Sequence, residues 1–580
     1  MSKPENLSAR WTRLLNLIAA RRAALSRPAT AFLSQPEPRT IGSFARGRQL
    51  CAGNFVFAGR LVAAPDTSIW DVEADEPAFA EEQHGFGWLD DLAAVGDAAA
   101  RKRAQDWLWD WIARYGNGSG PGWTPDLTGR RLIRWINHAL FMLNGSAPDA
   151  SAPFFRSMAQ QTTFLARRWH SASPGLPRFE ALTGLIYAGL SLEGMQAHVA
   201  PAMAALAREC DTQIDVMGGL PTRNPEDLLE VFTLLTWAAV ALGESGQSAG
   251  EAHWRAIERI APTLRTLRHA DGGLARFHGG GRGLEGRLDS ALATSGVKGR
   301  HADGLAMGFA RLSAGRTSVI IDASPPPTGA ASIGAHASTL AFELTSGRRP
   351  LIVNCGSGQS FGAEWRRAGR ATPSHSTLVL GSGSSARLSN DPRHSDWLTE
   401  APRKVPVELS QVTGGLRLEV AHDGYLRSHG LTHVRQLELT TDGRGLAGED
   451  MLLAIEAADK RRFDQAMDQV RLHGVSFDIR FHLHPDVDAS VDLGGAAVSL
   501  ALRSGEIWIF RSDGRAGLSL QPSVYLEKTR LKPRATKQIV LSGRAMEYAT
   551  HIRWSLAKAQ DTPIGVRDLT EDALEPATDE

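Results

Sequence analysis

The chain has 580 residues, 42% of them apolar, which is more than one hydrophobic core normally organises, so at least two domains are expected. Lys+Arg 64 against Asp+Glu 63 gives a formal charge of +1. This balance excludes attraction to nucleic acid or to an anionic membrane by the field of the whole chain, so any polyanion must meet a local basic site.

Cysteine usage and the N-terminal residues bear on the compartment. The three cysteines are widely spaced and form no CxxC pair, which fits a reducing compartment better than a disulfide framework. The apolar run at 14–20 stops at Arg21 and Arg22 without a cleavage site of small residues, so no secretory signal is readable. We therefore expect a cytoplasmic protein, with the periplasm as the alternative. No apolar stretch of about 18 residues occurs, so no transmembrane segment is expected.

The first half of the chain has helical periodicity. Residues 1–85 form a predicted N-terminal arm with a basic amphipathic start. Across 86–312, apolar residues recur at spacings of three and four between short loops rich in Gly, Pro, Ser and Asn, which predicts a domain of antiparallel helices. The glycine-rich segment at 269–283 lacks the order of a phosphate loop and is interpreted as a turn at the end of this domain.

The second half changes to short alternating segments. TSVIIDA, HVRQLEL, VSFDIRFHL and IWIFRS are typical of strands, with turn signals about every ten residues. The pattern predicts an antiparallel β-sandwich over 315–560. Residues 561–580 form a predicted acidic tail.

Two blocks in the predicted sandwich and two in the helical part resemble a known family. GAHASTLAFELTSGRRPLIVNCG at 334–356 and WRRAGRATPSHSTLVLG at 365–381 are similar to the C-terminal domain of heparinase II/III-like polysaccharide lyases. GFGWLDDL at 85–92 and GWTPDLTGRRLIRWINHAL at 122–140 are similar to their helical domain. The resemblance implies an α+β multidomain fold, with an N-terminal (α/α) toroid followed by the sandwich.

The resemblance also implies a reaction. Lyases of this family perform β-elimination on a uronate: the carboxylate at C5 is neutralised, the C5 proton is removed and the oxygen at C4 leaves. Such chemistry needs a base and an acid within hydrogen-bond reach of their protons. We expect this site between the toroid and the sandwich, with an acidic polysaccharide or oligosaccharide as substrate.

The chain departs from the family at several positions. Gly334 stands where the first histidine of HxHAD is expected, and Leu176 or Pro177 stands where a polar group belongs. Asp227 replaces the usual tyrosine. These changes make a wholesale transfer of the lyase mechanism improbable. The alternative function is a non-catalytic glycan-binding or scaffolding protein that has lost the lyase chemistry.

The remaining polar residues define a candidate site. His336 and His375 are expected on adjoining strands as catalytic bases, with Tyr425 as acid. The expected substrate-binding residues are Arg223, Asn224, Asp227, Arg366, Arg367 and Arg370, because guanidinium groups and a helix N-terminus suit carboxylate or sulfate.

A metal site is a further expectation. In the family, two histidines and an aspartate can hold zinc, and the matching residues here are His336, His375 and Asn354. No cofactor is certain. Zinc, if bound, is expected to be weak, because a neutral asparagine lacks the charge of an aspartate.

Several of these residues have a purely structural role as the alternative. The histidines can be satisfied structural residues of the sandwich, Asn224 can be a helix N-cap before Pro225, and the arginine pair at 366–367 can be a solvated edge. The tryptophans at 107, 111, 123 and 135 can stack on sugars, but their helical spacing favours core packing. The sugar, the linkage and the oligomeric state cannot be predicted.

Overall fold

The computed structural model describes residues 7–73, 76–145, 151–299, 301–302 and 304–559. The predicted acidic tail at 561–580 lies outside these residues. Within them, no helix combines the length and the apolar composition that crossing a membrane requires.

The N-terminal half is helical, as the periodicity predicts. Apolar residues spaced by three and four fill the helix interfaces, and Trp107, Trp111, Trp123 and Trp135 are buried core residues rather than an exposed sugar platform. The helices are α1 (Leu7–Ala23), α2 (Phe44–Cys51), α3 (Pro77–Gly85), α4 (Trp88–Val95), α5 (Ala98–Tyr115), α6 (Pro125–Asn137), α7 (Ala139–Leu143), α8 (Ala152–Arg168), α9 (Leu176–Ser191), α10 (Val199–Gln213), α11 (Pro225–Glu244), α12 (Glu251–Leu267) and α13 (Arg287–Ser295).

Close packing of α6 on α9 depends on two glycines. A Cβ on Gly129 would lie 2.2 Å from the carbonyl oxygen of Glu180, and one on Gly184 would lie 2.4 Å from the Cα of Gly129. The Arg130 side chain donates to Glu180 across the same interface at 2.9 and 3.0 Å. Any larger residue at either glycine would force the two helices apart.

The C-terminal half is mostly strands, some of which alternate buried and more exposed side chains while others are buried along their whole length. Short helices interrupt them: α14 (Ala363–Gly369), α15 (Leu426–His429) and α16 (Ala457–Gln469). The strands are β1 (Asn54–Phe57) and β2 (Arg60–Ala63) in the first half, then β3 (Phe309–Ala314), β4 (Thr317–Asp322), β5 (Phe342–Ser346), β6 (Arg349–Val353), β7 (Leu378–Leu380), β8 (Arg387–Leu388), β9 (Leu398–Glu400), β10 (Val407–Val412), β11 (Gly415–His422), β12 (Thr432–Thr440), β13 (Gly445–Leu453), β14 (Val475–Leu483), β15 (Asp488–Asp492), β16 (Ala497–Ala501), β17 (Ile507–Ser512), β18 (Gly517–Tyr525), β19 (Arg534–Ala545) and β20 (Ala549–Lys558).

Sixteen of these strands form two large antiparallel sheets, while β1 with β2 and β8 with β9 form two small ones. One large sheet has the order β10-β11-β12-β13-β20-β17-β16-β15, and the other has the order β18-β19-β14-β6-β5-β4-β3, with β7 paired to β14. Side chains of both sheets share one apolar core: the ring of Phe342 stacks on that of Trp554 at 5.9 Å, and Phe481 contacts the same tryptophan edge-on at 4.8 Å. This packing of two faces is a β-sandwich.

The chain divides into two compact units whose borders differ from the predicted ones. The first contains Met1–Val216, Leu228–Ala261 and Gly286–Lys298, and the second contains Met217–Asp227, Pro262–Glu285 and Gly299–Glu580. The predicted arm therefore groups with the helices. Two segments of the predicted toroid, 217–227 and 262–285, group with the sandwich, and both contribute to the candidate site.

Candidate functional site

The candidate site is centred on a pair of histidines that are bonded to each other. His336 and His375 lie in loops that precede β5 and β7, and the prediction that they lie on adjoining strands is wrong. His375 Nε2 is 3.1 Å from His336 Nδ1, and His375 Nδ1 is 2.9 Å from the carbonyl oxygen of Ala371. Since a carbonyl only accepts, His375 carries its proton on Nδ1. In the neutral pair, His336 then donates from Nδ1 and keeps an unprotonated Nε2.

Burial keeps both imidazoles neutral. Both side chains are buried, and desolvation lowers the pKa of His375 to about 4. Desolvation, followed by the nearby His375, His278 and Arg370, lowers the pKa of His336 well below its ordinary value. A neutral imidazole can act as a base, but both of these imidazoles are buried beneath the surface.

Asn354 is buried beside the histidine pair, and its bonding decides whether it can hold a metal. Its Oδ1 accepts from the backbone N–H of Ser376 at 2.9 Å, which fixes the orientation of the amide. Its Nδ2 has no hydrogen-bond partner. The free end of the side chain is therefore a donor, which suits an acceptor atom and repels a cation.

The predicted zinc set does not fit this arrangement. With Asn354 excluded, His336 and His375 remain, and their facing nitrogens are bonded to each other. Within the part of the chain that the structure describes, no group of three or more His, Cys, Asp and Glu residues is placed to bind a metal. The prediction that Asn354 completes a zinc shell is corrected on this ground.

A third histidine belongs to the site, and sequence reasoning missed it. His278 lies in the glycine-rich segment that was interpreted only as a turn. Its Nδ1 accepts from the backbone N–H of His336 at 3.2 Å, and its Nε2 lies 3.4 Å from Asp322 Oδ2. Its φ of +47° is unusual for a residue other than glycine, which is typical of sites that the surrounding structure holds in place. A histidine directly before a run of glycines was the available signal.

Asp322 connects this histidine to Arg223. Its Oδ2 accepts from the Ser338 hydroxyl at 2.7 Å, and its Oδ1 accepts from Arg223 Nη2 at 2.6 Å. Burial alone would raise the pKa of Asp322, but Arg223, His278 and Ser338 outweigh it and hold the pKa well below its ordinary value. Asp322 is therefore a fully buried, ionised carboxylate.

Arg223, predicted to bind substrate, has no donor left for one. Besides Asp322, its guanidinium donates to the main-chain carbonyls of Met307, Gly308, Ser324 and Pro325, at distances between 2.8 and 3.1 Å. These five bonds use the five N–H groups of the side chain. The structure therefore corrects the predicted role: Arg223 holds the 307–308 and 324–325 segments together.

The next two predicted binding residues begin helix α11. Asn224 Oδ1 accepts from the backbone N–H of Glu226 at 2.9 Å and of Asp227 at 3.3 Å, which is N-cap geometry. Asn224 therefore accepts from the backbone N–H groups that were expected to bind an anion. Asp227 is half-buried in the first turn. The structure favours the capping interpretation of this segment.

The three arginines before His375 differ in their surroundings. Arg370 is buried and donates to the carbonyl oxygens of Ser332, Ala335 and Asp396, so it positions the loop that carries His336. Desolvation lowers the pKa of Arg370 to about 10. Arg366 is half-buried, and Arg367 is exposed. An anion could reach Arg366 and Arg367, but not the side of the Arg370 guanidinium that donates to the three carbonyl oxygens.

Tyr425, the predicted acid, lies in the core of the sandwich. Its hydroxyl donates to the carbonyl oxygen of Leu378 at 2.9 Å, and burial raises the pKa of the phenol. A hydroxyl held in this way is not available to protonate a leaving oxygen. The placement argues for a structural role.

Comparisons with a family model and with a known protein identify the family of this chain. Residues 297–555 match the family "Heparinase II/III-like, C-terminal". Over 552 residues, the chain is 32% identical to "FtsZ-localized protein C" of Caulobacter vibrioides (strain NA1000 / CB15N), covering 93% of this chain and 92% of that protein. The chain belongs to the heparinase II/III-like family.

Solved structures confirm the predicted fold class. A crystal structure of heparinase III covers 95% of this chain and 90% of its own, with a TM-score of 0.67 and 12% identity. A heparan sulfate lyase HepC mutant from Pedobacter heparinus covers 95% and 89%, with a TM-score of 0.58 and 16% identity. At these identities the likeness shows the fold alone, an α/α toroid with a β-sandwich. The site chemistry must be argued from this chain's own residues.

Proposed function

We propose that this protein keeps the fold of a polysaccharide lyase family without the lyase reaction, and that it is a scaffolding protein that localises with FtsZ. The name of the Caulobacter relative supports the second part, because it describes that protein as FtsZ-localized. The internal bonding of the candidate site supports the first part.

The proposal rests on the hydrogen bonds that the polar groups of the candidate site already form within the protein. A lyase must place a base at the C5 proton and free donors at the carboxylate. Here His375 bonds His336 and a carbonyl, all five N–H groups of Arg223 are used, and the Tyr425 hydroxyl is held by Leu378. Each of these groups would have to break a bond within its own unit before it could serve a uronate. Such buried bonds are costly to leave unmade.

A second candidate is a lyase that acts on an acidic oligosaccharide. Two observations favour it: His336 is neutral, and Asn354 Nδ2 is a buried donor without a partner. In that reaction, a neutral base removes the C5 proton and the electron pair of the C5–H bond forms the C4–C5 double bond. The bond between C4 and its glycosidic oxygen breaks with its electrons on the oxygen, which takes a proton from the protonated base or from water. An amide donor could bond the substrate carboxylate.

Ultraviolet absorbance of the unsaturated product distinguishes the two candidates. The purified protein is incubated with alginate, heparan sulfate, hyaluronan and pectate, beside His336→Ala, His375→Ala and, as a surface control outside the candidate site, Arg461→Ala, an exposed arginine of α16. We expect no growth of absorbance with any of the four proteins. Turnover by the native chain and by Arg461→Ala, lost in both histidine variants, would establish the lyase instead. Binding of a polymer without turnover would add glycan recognition to the scaffolding role.

Localisation is tested by imaging the tagged protein and FtsZ in the same cells. We expect the two signals to overlap, and the protein signal to disperse when FtsZ is depleted. A distribution that ignores FtsZ in both conditions would overturn this part of the proposal.

A further inference from the structure

One sheet of the sandwich carries polar side chains on the face that points away from the apolar core. In this sheet β18, β19 and β14 are neighbours, and Ser523 pairs with Thr536 while His482 pairs with Gln538. Directly opposed residues of an antiparallel pair lie on the same face, and so does every second residue along a strand. These four residues therefore share one face, while Phe481 on the other face belongs to the core. The sheet brings a serine hydroxyl next to an imidazole.

Ser523 and His482 form a hydrogen-bonded pair, and a third group fixes the position of the proton on the imidazole. His482 Nε2 lies 2.9 Å from the carbonyl oxygen of Pro373, and His482 Nδ1 lies 2.8 Å from Ser523 Oγ. Since a carbonyl only accepts, the neutral imidazole carries its proton on Nε2, and Nδ1 accepts from the serine hydroxyl. A hydroxyl that donates to a base, which an acceptor on its other nitrogen orients, has the arrangement of an activated nucleophile.

Cys355 is a second nucleophile beside the same imidazole. Its Sγ lies 3.5 Å from His482 Nδ1 and 3.9 Å from Ser523 Oγ. The cysteine is 3% exposed, and burial raises the pKa of its thiol, so the sulfur stays protonated. Ser523 is half-buried and lies on β18, which is an edge strand of its sheet. The serine is therefore the one of these two groups that a substrate reaches.

The same face of the sheet carries a donor without a partner. Arg480 precedes His482 by two residues on β14, so both side chains lie on this face. Arg480 Nη1 donates to Gln538 Oε1 at 3.3 Å and Nη2 donates to Asp478 Oδ2 at 2.8 Å, whereas Nε is buried without a hydrogen-bond partner. A buried donor that is left unpaired is costly. A carbonyl oxygen that becomes an oxyanion is an acceptor that would satisfy it.

We propose that Ser523 and His482 form an acyl-transfer site for carboxylic esters, in which Pro373 orients the imidazole and Arg480 donates to the oxyanion. Ser523 Oγ forms a bond to the acyl carbon, and its proton moves to His482 Nδ1. The bond between the acyl carbon and the alcohol oxygen then breaks with its electrons on that oxygen, which takes the proton from His482. Water hydrolyses the resulting acyl ester of Ser523 by the same two proton transfers. This proposal does not depend on the proposed scaffolding function.

A fluorophosphonate probe tests the proposal, because an activated serine attacks it and keeps it as a covalent adduct. Burial lowers the pKa of His482 to about 3, and such a weak base predicts slow turnover, so the adduct is a sharper readout than hydrolysis of an ester. The full chain is treated with the probe, and the adduct is located by mass spectrometry. The variants are Ser523→Ala and His482→Gln. The matched control is Ser519→Ala, because Ser519 is a half-buried serine on the same face of β18.

The native chain and Ser519→Ala should take up one probe molecule per chain, on Ser523, and the heat-denatured chain should take up none. Ser523→Ala should stay unlabelled, and His482→Gln should react at least about a hundredfold more slowly, with melting temperatures close to that of the native chain. The location of the adduct on the native chain decides the assignment even if a variant does not fold. A native chain that stays unlabelled, or that carries the probe on another residue, would overturn the proposal. So would equal labelling rates of the native chain and folded His482→Gln.

Discussion

Replacing Arg223 by alanine tests whether this residue is structural. Its partner Asp322 is fully buried, and the Arg223 side chain is 10% exposed, so solvent cannot replace the lost charge without rearrangement. Breaking a buried ion pair from one side costs about 3–5 kcal/mol. Four main-chain carbonyls also lose a donor, so we expect a loss of about 4 kcal/mol or more, a large share of the stability of a typical domain.

The assay is urea unfolding followed by tryptophan fluorescence, with calorimetry to separate the transitions of a chain with two units. Arg367→Ala, an exposed arginine of the same chain, should change stability by less than about 0.5 kcal/mol. Asp322→Asn in the Arg223→Ala background should recover part of the loss, because the uncompensated charge is then gone. If Arg223→Ala unfolds like the native chain, the structural interpretation of its five bonds is refuted.

Two further predictions concern metal and protons. Asn354→Asp should raise zinc affinity, because a carboxylate oxygen replaces the amide donor. The native chain should keep no stoichiometric zinc after dialysis against a mild chelator. Chelator-resistant zinc in the native chain would contradict this prediction. For His375, the folded pKa of about 4 lies below the unfolded value of about 6.5, so its contribution to stability is complete above the unfolded pKa and is lost as pH falls towards the folded one. The free energy of unfolding should fall by about 2 kcal/mol at pH 5 from this residue alone. The drop in urea midpoint between pH 7.5 and pH 5 should therefore be smaller in His375→Gln than in the native chain. Equal drops would show that His375 does not cause the loss of stability.

The sequence was sufficient for the fold because periodicity reports burial directly. In β14, a side chain on every second position faces the core from Val475 to Phe481, and the pattern VSFDIRFHL had predicted a strand over the same residues. The family motifs then supplied the arrangement of the two halves, which local patterns do not contain. The border between units was not predictable in the same way, because 217–227 and 262–285 keep helical or glycine-rich patterns while they contact the sandwich.

The chemistry of the site was harder to predict because it depends on loops and on main-chain atoms. The carbonyls that engage Arg223 lie 84 to 102 residues further along the chain, and a main-chain carbonyl has no signature in a sequence. His278 comes from a segment whose glycines describe only its turns. A motif match correctly indicated that His336 and His375 are neighbours, but it could not show that they bond each other.

The retained histidines do not require retained catalysis. His375 ties Ala371 to His336, and the backbone of His336 in turn donates to His278, which faces the buried carboxylate of Asp322. Loss of either imidazole would leave a buried polar partner unsatisfied, at a cost of about 1–3 kcal/mol for each group. A chain that no longer bound a uronate would therefore still be constrained to keep these side chains. The positions without such bonds were free to change, and Gly334, where the family has a histidine, makes only a loose contact: a Cβ there would lie 3.5 Å from the carbonyl oxygen of His278.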